Sequence, residues 1–174
     1  SEVHPANRRS VKVHFRGKLF RRGRRGKVGT LSVRDRNSRR NGIHSNGDDL
    51  NIINNFGALD VLNDLKKQGL IRASGMSTKT VEGGIHAAKH GDIVMATFNL
   101  DYQDEKPVLD FCAQHGKSVF VKKAFGSGHL CKAEDAIQKT MHLLLNTKGV
   151  TSIIAGTINP IHLRQNVEAA LADI

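Results

Sequence analysis

The chain has 174 residues, 39% apolar and 25% charged, enough to bury a core but too few for a complete eight-stranded α/β barrel of ~250 residues. No apolar run approaches the ~20 residues of a transmembrane helix, and no apolar secretory region follows Ser1. Cys112 and Cys131 form neither a CxxC pair nor a disulfide framework, which predicts reduced thiols and a cytoplasmic protein with no membrane partner.

The formal charge of +11 is concentrated at one end. Residues 1–42 carry 14 Lys and Arg against 2 Asp and Glu, whereas residues 43–174 carry 13 against 14. Beyond residue 42 the only arginines are Arg72 and Arg164. The chain is therefore read as a basic, Arg-rich arm with little regular structure over 1–42 and a near-neutral body over 43–174. Within the arm Val11, Val13 and Phe15 alternate, as do Leu31 and Val33, a pattern compatible with two short strands. Its doublets Arg8-Arg9, Arg21-Arg22, Arg24-Arg25 and Arg39-Arg40 would neutralise phosphates with salt-dependent affinity. That makes a nucleic-acid-associated protein the alternative function; a solvated tail is the plainer reading, because no recognised nucleic-acid-binding motif accompanies the charge.

The body alternates helix and strand. Phe56, Leu59, Leu62 and Leu65 recur at helical spacing before Lys66-Lys67 and Gly69 end the helix. Leu70–Gly75 is predicted as a strand and Thr78–His90 as a helix with Val81, Ile85 and Ala88 inward, softened by Gly83-Gly84. The almost wholly apolar run Ile93–Phe98 reads as a strand covered on both faces. A helix opening on Asp104, Glu105 and Pro107 buries Val108, Phe111 and Cys112 and stops at His115-Gly116. Ser118–Val121 is a strand, and Ala133–Lys148 a helix with Ala133, Ile137, Met141 and Leu144 on one stripe. Thr151–Ala155 is a strand. Asn159-Pro160 then caps a helix bearing Leu163, Val167, Ala170 and Leu171. Four successive βα units of this length require parallel strands with crossover connections, so the body is α/β.

In such folds function sits in the loops after the strands' C-terminal ends. Those loops are Gly75–Thr80, Asn99–Asp104, Lys122–Leu130 and Gly156–Asn166. Gly126, Ser127 and Gly128 would let backbone N–H groups approach a pyrophosphate, and Gly156-Thr157 precede a helix N-terminus on which an anion can rest.

Taken together, IHSNGDDLNII, LKKQGLIRASGMSTKT, DIVMATFN, VFVKKAFGSGHL and SIIAGTINPIHLRQNVEAA resemble the C-terminal half of an aldo-keto reductase, over residues 43–174. The resemblance implies a partial (β/α)8 TIM barrel, about strands five to eight with a strand-four remnant, preceded by the basic arm. It also implies an oxidoreductase that binds NADP or NAD and reduces a small carbonyl substrate by hydride transfer. By position, Ser77 and Thr78 would hold the nicotinamide carboxamide, with Thr78 where the family usually has Asn, and Asn99 would end the sixth strand. Met95 stands where many members have Gln, and Lys122 where many have an aromatic under the nicotinamide ring. Phe125, Gly126, Ser127, Gly128 and Leu130 would follow the pyrophosphate. Gly156, Thr157, Asn159, His162, Gln165 and Asn166 would surround the adenosine, and this chain offers Gly156 and His162 where a Lys and an Arg commonly face a 2′-phosphate.

In that family a Tyr donates the proton, a Lys paired to an Asp tunes it, and a His orients the carbonyl. His44 matches the His. The Asp, Tyr and Lys should lie upstream, where this chain has the arginine-rich arm. Its one tyrosine, Tyr102, follows the sixth strand and is not the motif residue. The catalytic set is therefore expected to be incomplete. The switch from Arg to Lys usage where the resemblance begins predicts a truncated coding sequence read in a wrong frame upstream of about Gly42; a basic extension on a degenerate reductase is the competing account. Half a barrel also exposes strand edges, so self-association is expected.

Weaker signals are read conservatively. His86 and His90 share zinc-ligand spacing but lack a third ligand, and are read as surface residues. Asp48-Asp49 reads as polarity at the start of a helix, and Cys112 as core.

Overall fold

The computed structural model describes residues 29–32, 40–132 and 135–172. The strands anticipated at Val11–Phe15 and at Val33, and the helix start anticipated at Ala133, lie outside the described residues.

Among the described residues six strands form one sheet in sequence order: β1 (Gly29–Ser32), β2 (Arg40–His44), β3 (Ala73–Ser77), β4 (Ile93–Thr97), β5 (Ser118–Lys122) and β6 (Val150–Ile153). β1 pairs antiparallel with β2, and every later pairing is parallel. Helices α1 (Asp49–Asn54) and α2 (Ala58–Lys67) follow β2. α3 (Val81–His90), α4 (Lys106–Gln114), α5 (Ala136–Asn146) and α6 (Pro160–Leu171) follow the next four strands in turn. Among the described residues the sheet does not close, and β1 and β6 are its two edges. Its first strand and the start of its second come from residues upstream of Ile43.

Register sorts the strand residues into two faces, because residues directly across a ladder share a side. Ile43, Met76, Val94 and Val119 form one row, and Ala96 and Val121 continue that face; all are buried. This face carries the core, with Leu59, Val108, Leu109, Cys112, Met141 and Leu144 packed in the same cluster from the helices. Each fully buried aliphatic side chain of this kind contributes roughly 1.5–3 kcal/mol. The opposite row runs His44, Ser77, Met95, Phe120 and Ser152, with Thr97 and Lys122 beyond it at the strands' C-terminal end. Met95, Thr97, Phe120 and Lys122 on this face are only half-buried.

Several boundaries differ from the sequence reading. The first predicted helix is two, and Phe56 falls between them, 62% exposed. The strand predicted from Leu70 begins at Ala73 and runs through Ser77, which leaves Leu70 exposed. Apolarity alone placed Leu70 in the strand; the ladder starts only where Arg40 finds Ala73. α3 starts at Val81 because the Thr80 hydroxyl accepts from the Gly83 N–H at 3.0 Å, an N-cap bond. Glu105 precedes α4 rather than lying in its first turn. Leu171, expected inward, is 64% exposed at the end of α6.

Gly83-Gly84, which weakens α3 by propensity, has a packing reason. A Cβ on Gly83 would stand 2.2 Å from the Asp49 Cβ, and one on Gly84 would stand 2.7 Å from Val108 Cγ2. α3 lies against α1 and α4 at a separation only glycine permits.

Candidate functional site

The C-terminal ends of β2 to β6 converge at one end of the sheet, and the predicted residues are gathered there. His44 ends β2 and is exposed; the register sets it directly across from Ser77, the last residue of β3. Ser77 is buried, and its carbonyl accepts from the Ser45 N–H at 3.0 Å. Thr78 is fully buried, its N–H donates to Met95 O at 3.3 Å, and its hydroxyl has no hydrogen-bond partner. A buried orphan hydroxyl is costly.

Asn99 follows β4 and is buried. Its Oδ1 accepts from the Asp101 and Tyr102 N–H groups at 3.0 and 2.9 Å, and its Nδ2 donates to Lys123 O at 2.9 Å. Asn99 thus ties the β4 loop to the β5 loop. Tyr102 lies in the β4 loop, where burial and then the charges of Glu105 and Asp104 push its phenol above its ordinary value. That makes it a weaker acid at neutral pH.

After β5 the backbone turns sharply. Lys123, Gly126, Ser127 and Gly128 all have positive φ, of 54°, 54°, 61° and 97°. Left-handed backbone at three consecutive residues, 126–128, makes this a tight turn. In this conformation the Gly126 and Gly128 N–H groups donate to Lys123 O and Phe125 O at 2.9 and 2.8 Å. Phe125 is buried beneath the turn while Ser127 and Gly128 are exposed; of the Leu130 side chain nothing is described.

After β6, Gly156 is exposed with open space where a Cβ would point. The Thr157 hydroxyl accepts from the Asn159 N–H at 3.1 Å, and Asn159 Oδ1 accepts from the Ile161 N–H at 2.9 Å, capping α6 as expected. His162 and Gln165 are exposed and Asn166 is buried on that helix. Ile158 and Ile161 stand largely exposed beside them.

Three charged residues at this end were not singled out as a group by the sequence. Asp49 is buried; its Oδ2 accepts from the Lys79 and Thr80 N–H groups, both at 2.9 Å, and from the Thr80 hydroxyl at 2.8 Å, while Oδ1 has no partner. Glu105 is buried with Oε2 unpartnered; burial raises its pKa against the opposing Thr97 hydrogen bonds and Lys122 charge. Lys122 Nζ donates to Ser77 Oγ at 3.1 Å and to Thr78 O. Burial lowers the Lys122 pKa, with the nearby Glu105 charge opposing it. No local signal announces these placements, since Asp49 meets partners 30 and 31 residues away and Lys122 meets residues 44 and 45 away.

A nicotinamide dinucleotide meets a mixed fit here. At the adenosine end the open space at Gly156, the capped α6 N-terminus and the exposed Ile158 and Ile161 suit it. At the nicotinamide end Lys122 already engages the Ser77 hydroxyl and the Thr78 carbonyl. Among the described residues, no group of three or more His, Cys, Asp and Glu is placed to hold a metal ion. His86 Nε2 pairs with Asn54 Oδ1 at 2.7 Å, and its ring centroid lies 4.6 Å from that of His90.

Parallel strands each followed by a helix, with the site at their C-terminal ends, define a partial (β/α)8 barrel whose sheet is not closed. No family model and no curated protein matches the chain. Among solved structures it is similar to a candidate aldo-keto reductase of Pseudomonas aeruginosa, at 43% identity over 75% of this chain. Its two structures superpose with TM-scores of 0.68 and 0.69, and 48% and 50% of that chain is covered. An aldo-keto reductase of Bacillus halodurans in its holo form matches 74% of this chain and 54% of its own, at 16% identity and a TM-score of 0.63. A mutant of Gox0644 solved in complex with NADPH matches 64% of this chain and 45% of its own, at 17% identity and a TM-score of 0.52. The last two bear on fold alone. The chain thus resembles the aldo-keto reductases in sequence and in fold, and it spans about half the length of these relatives.

Proposed function

We propose that this chain carries the dinucleotide-binding face of an NAD(P)H-dependent aldo-keto reductase without a complete catalytic set. The observation that carries the reading is the convergence of His44, Ser77, Thr78, Asn99, the 125–128 turn and the 156–166 segment at one end of the parallel sheet. When bound, the dinucleotide would supply the hydride for carbonyl reduction. Ser77 and Thr78 would face the carboxamide once Lys122 yields, the 125–128 turn with Leu130 would follow the pyrophosphate, and Thr157, Asn159, His162, Gln165 and Asn166 would surround the adenosine. Asn99 would act by fixing the two loops between them. NADP and NAD are both accepted by this reading, since Gly156 and His162 supply no fixed cation to a 2′-phosphate.

His44 would orient a small carbonyl substrate, but residues 1–43 carry no recognisable match to the phenol, lysine and aspartate that deliver the proton. The expected outcome is saturable binding of NADPH by calorimetry, with negligible aldehyde reduction. Absence of saturable binding to either dinucleotide overturns the reading, as does turnover at a rate typical of intact relatives by a Tyr102→Phe protein free of other polypeptides. Steeply salt-dependent binding to random duplex DNA without dinucleotide binding would favour the alternative function through the basic 1–42 segment. A cytoplasmic location accords with this reading; among the described residues no helix is long and apolar enough to cross a membrane. Self-association through β6, an edge strand among the described residues, belongs to the same proposal. A sharp, reversible, concentration-independent unfolding transition would count against it.

A further inference from the structure

We infer that Lys122 is a carbonyl-reactive amine, which condenses with small aldehydes on the open face of the sheet to form an imine. The side chain leaves the end of β5 and is held by two hydrogen bonds, to Ser77 Oγ at 3.1 Å and to Thr78 O. Both acceptors are buried or belong to a buried residue, so the amine is fixed in place at the tip of a side chain that is itself only half-buried. An amine immobilised in one geometry loses less freedom on reaction than the solvated lysines of the surface.

Its surroundings suit the chemistry. Met95 and Phe120 lie on the same face of the sheet, half-buried, and offer an apolar bed for the aldehyde's carbon chain. Burial disfavours the ammonium form of Lys122, which raises the share of the nucleophilic free amine. Facing it are Glu105 and Asp49, whose charges oppose that effect, and Lys123 and Lys79, whose charges add to it. In the reaction the nitrogen lone pair bonds to the carbonyl carbon; the carbonyl oxygen then departs as water, taking the two hydrogens of the neutral amine, and a C=N bond remains. No oxidant or reductant is required. The inference stands apart from dinucleotide binding, and the two fail separately.

The test is competitive labelling of the full chain at pH 7 with propanal and sodium cyanoborohydride, which reduces the imine to a stable secondary amine, read by peptide mass spectrometry. Lys122 is expected to be labelled several-fold faster than the exposed Lys67 and Lys123, with the preference lost in denaturant. Labelling of Lys122 at or below the rate of those two in the folded protein overturns the inference. Adding NADPH is a separate arm. Slower labelling at Lys122 supports a nicotinamide site there; unchanged labelling with Lys122 still preferred upholds the reactive amine while weakening that site.

Discussion

The two faces of the sheet follow different rules. On the helix-covered face Val94, Ala96, Val119 and Val121 are each 0% exposed, and the chain's own helices complete the packing. On the other face Met95, Thr97, Phe120 and Lys122 are half-buried, and the polar groups at its C-terminal end are tied to one another across strands. In a closed (β/α)8 barrel that second face is a packed interior layered by side chains from all round the barrel. Here the first face is closed by the chain's own helices, while the second is only half covered.

The sharpest way to break this contrast is to place a charge on each face. Val119→Asp would bury a carboxylate without a partner and is expected to cost about 4 kcal/mol or more, abolishing a cooperative unfolding transition, whereas Met95→Asp should leave one. Next in size is Leu144→Ala, fully buried under the sheet, expected to lower stability by about 2–5 kcal/mol in denaturant titration. Phe120→Ala, on the half-buried face, should cost distinctly less than a buried Phe→Ala change, which is typically ~3–5 kcal/mol; an equal cost would mean that face is packed.

Asp49→Asn tests the charged end. The carboxylate oxygen that takes three hydrogen bonds would become a neutral amide, at an expected cost of about 1–3 kcal/mol, with loosening of the Lys79–Thr80 segment visible by hydrogen exchange. The smallest effect is a pH slope. Because burial raises Glu105, the folded chain keeps its proton over a range where the unfolded chain has lost it. Stability therefore falls as pH climbs from the unfolded carboxylate value through the folded one. Glu105→Gln should flatten that fall in unfolding curves measured from pH 4 upward. Cys112 offers a control for the intact core: burial pushes its thiol up to about 11, so alkylation at pH 8 should wait for unfolding.

Much of the architecture was legible because local patterns and global fold agree. The run around β4 is almost wholly apolar, β5 has Val119-Phe120-Val121 at its centre, and Asn159-Pro160 caps and starts α6 as its residue types dictate. The resemblance placed the site residues on consecutive strand ends. What stayed hidden was long-range: Phe56 matched the helical period yet landed in a turn, and Asp49 looked like ordinary polarity at a helix start. Its buried role depends on Lys79 and Thr80, which only the fold brings near. Lys122 gave its position to the sequence but not its partners, for the same reason.

The glycine pair of α3 carries a consequence for how this chain tolerates change. In a saturation-mutagenesis scan scored for abundance, Gly83 and Gly84 should stand out as a two-residue gap that rejects even alanine, the residue helices otherwise welcome. Exposed Glu82 beside them should accept almost anything. Attempts to raise thermal tolerance by replacing helix glycines with alanine would fail at this spot, where the close approach of the Asp49 and Val108 side chains to the helix matters more than helix propensity.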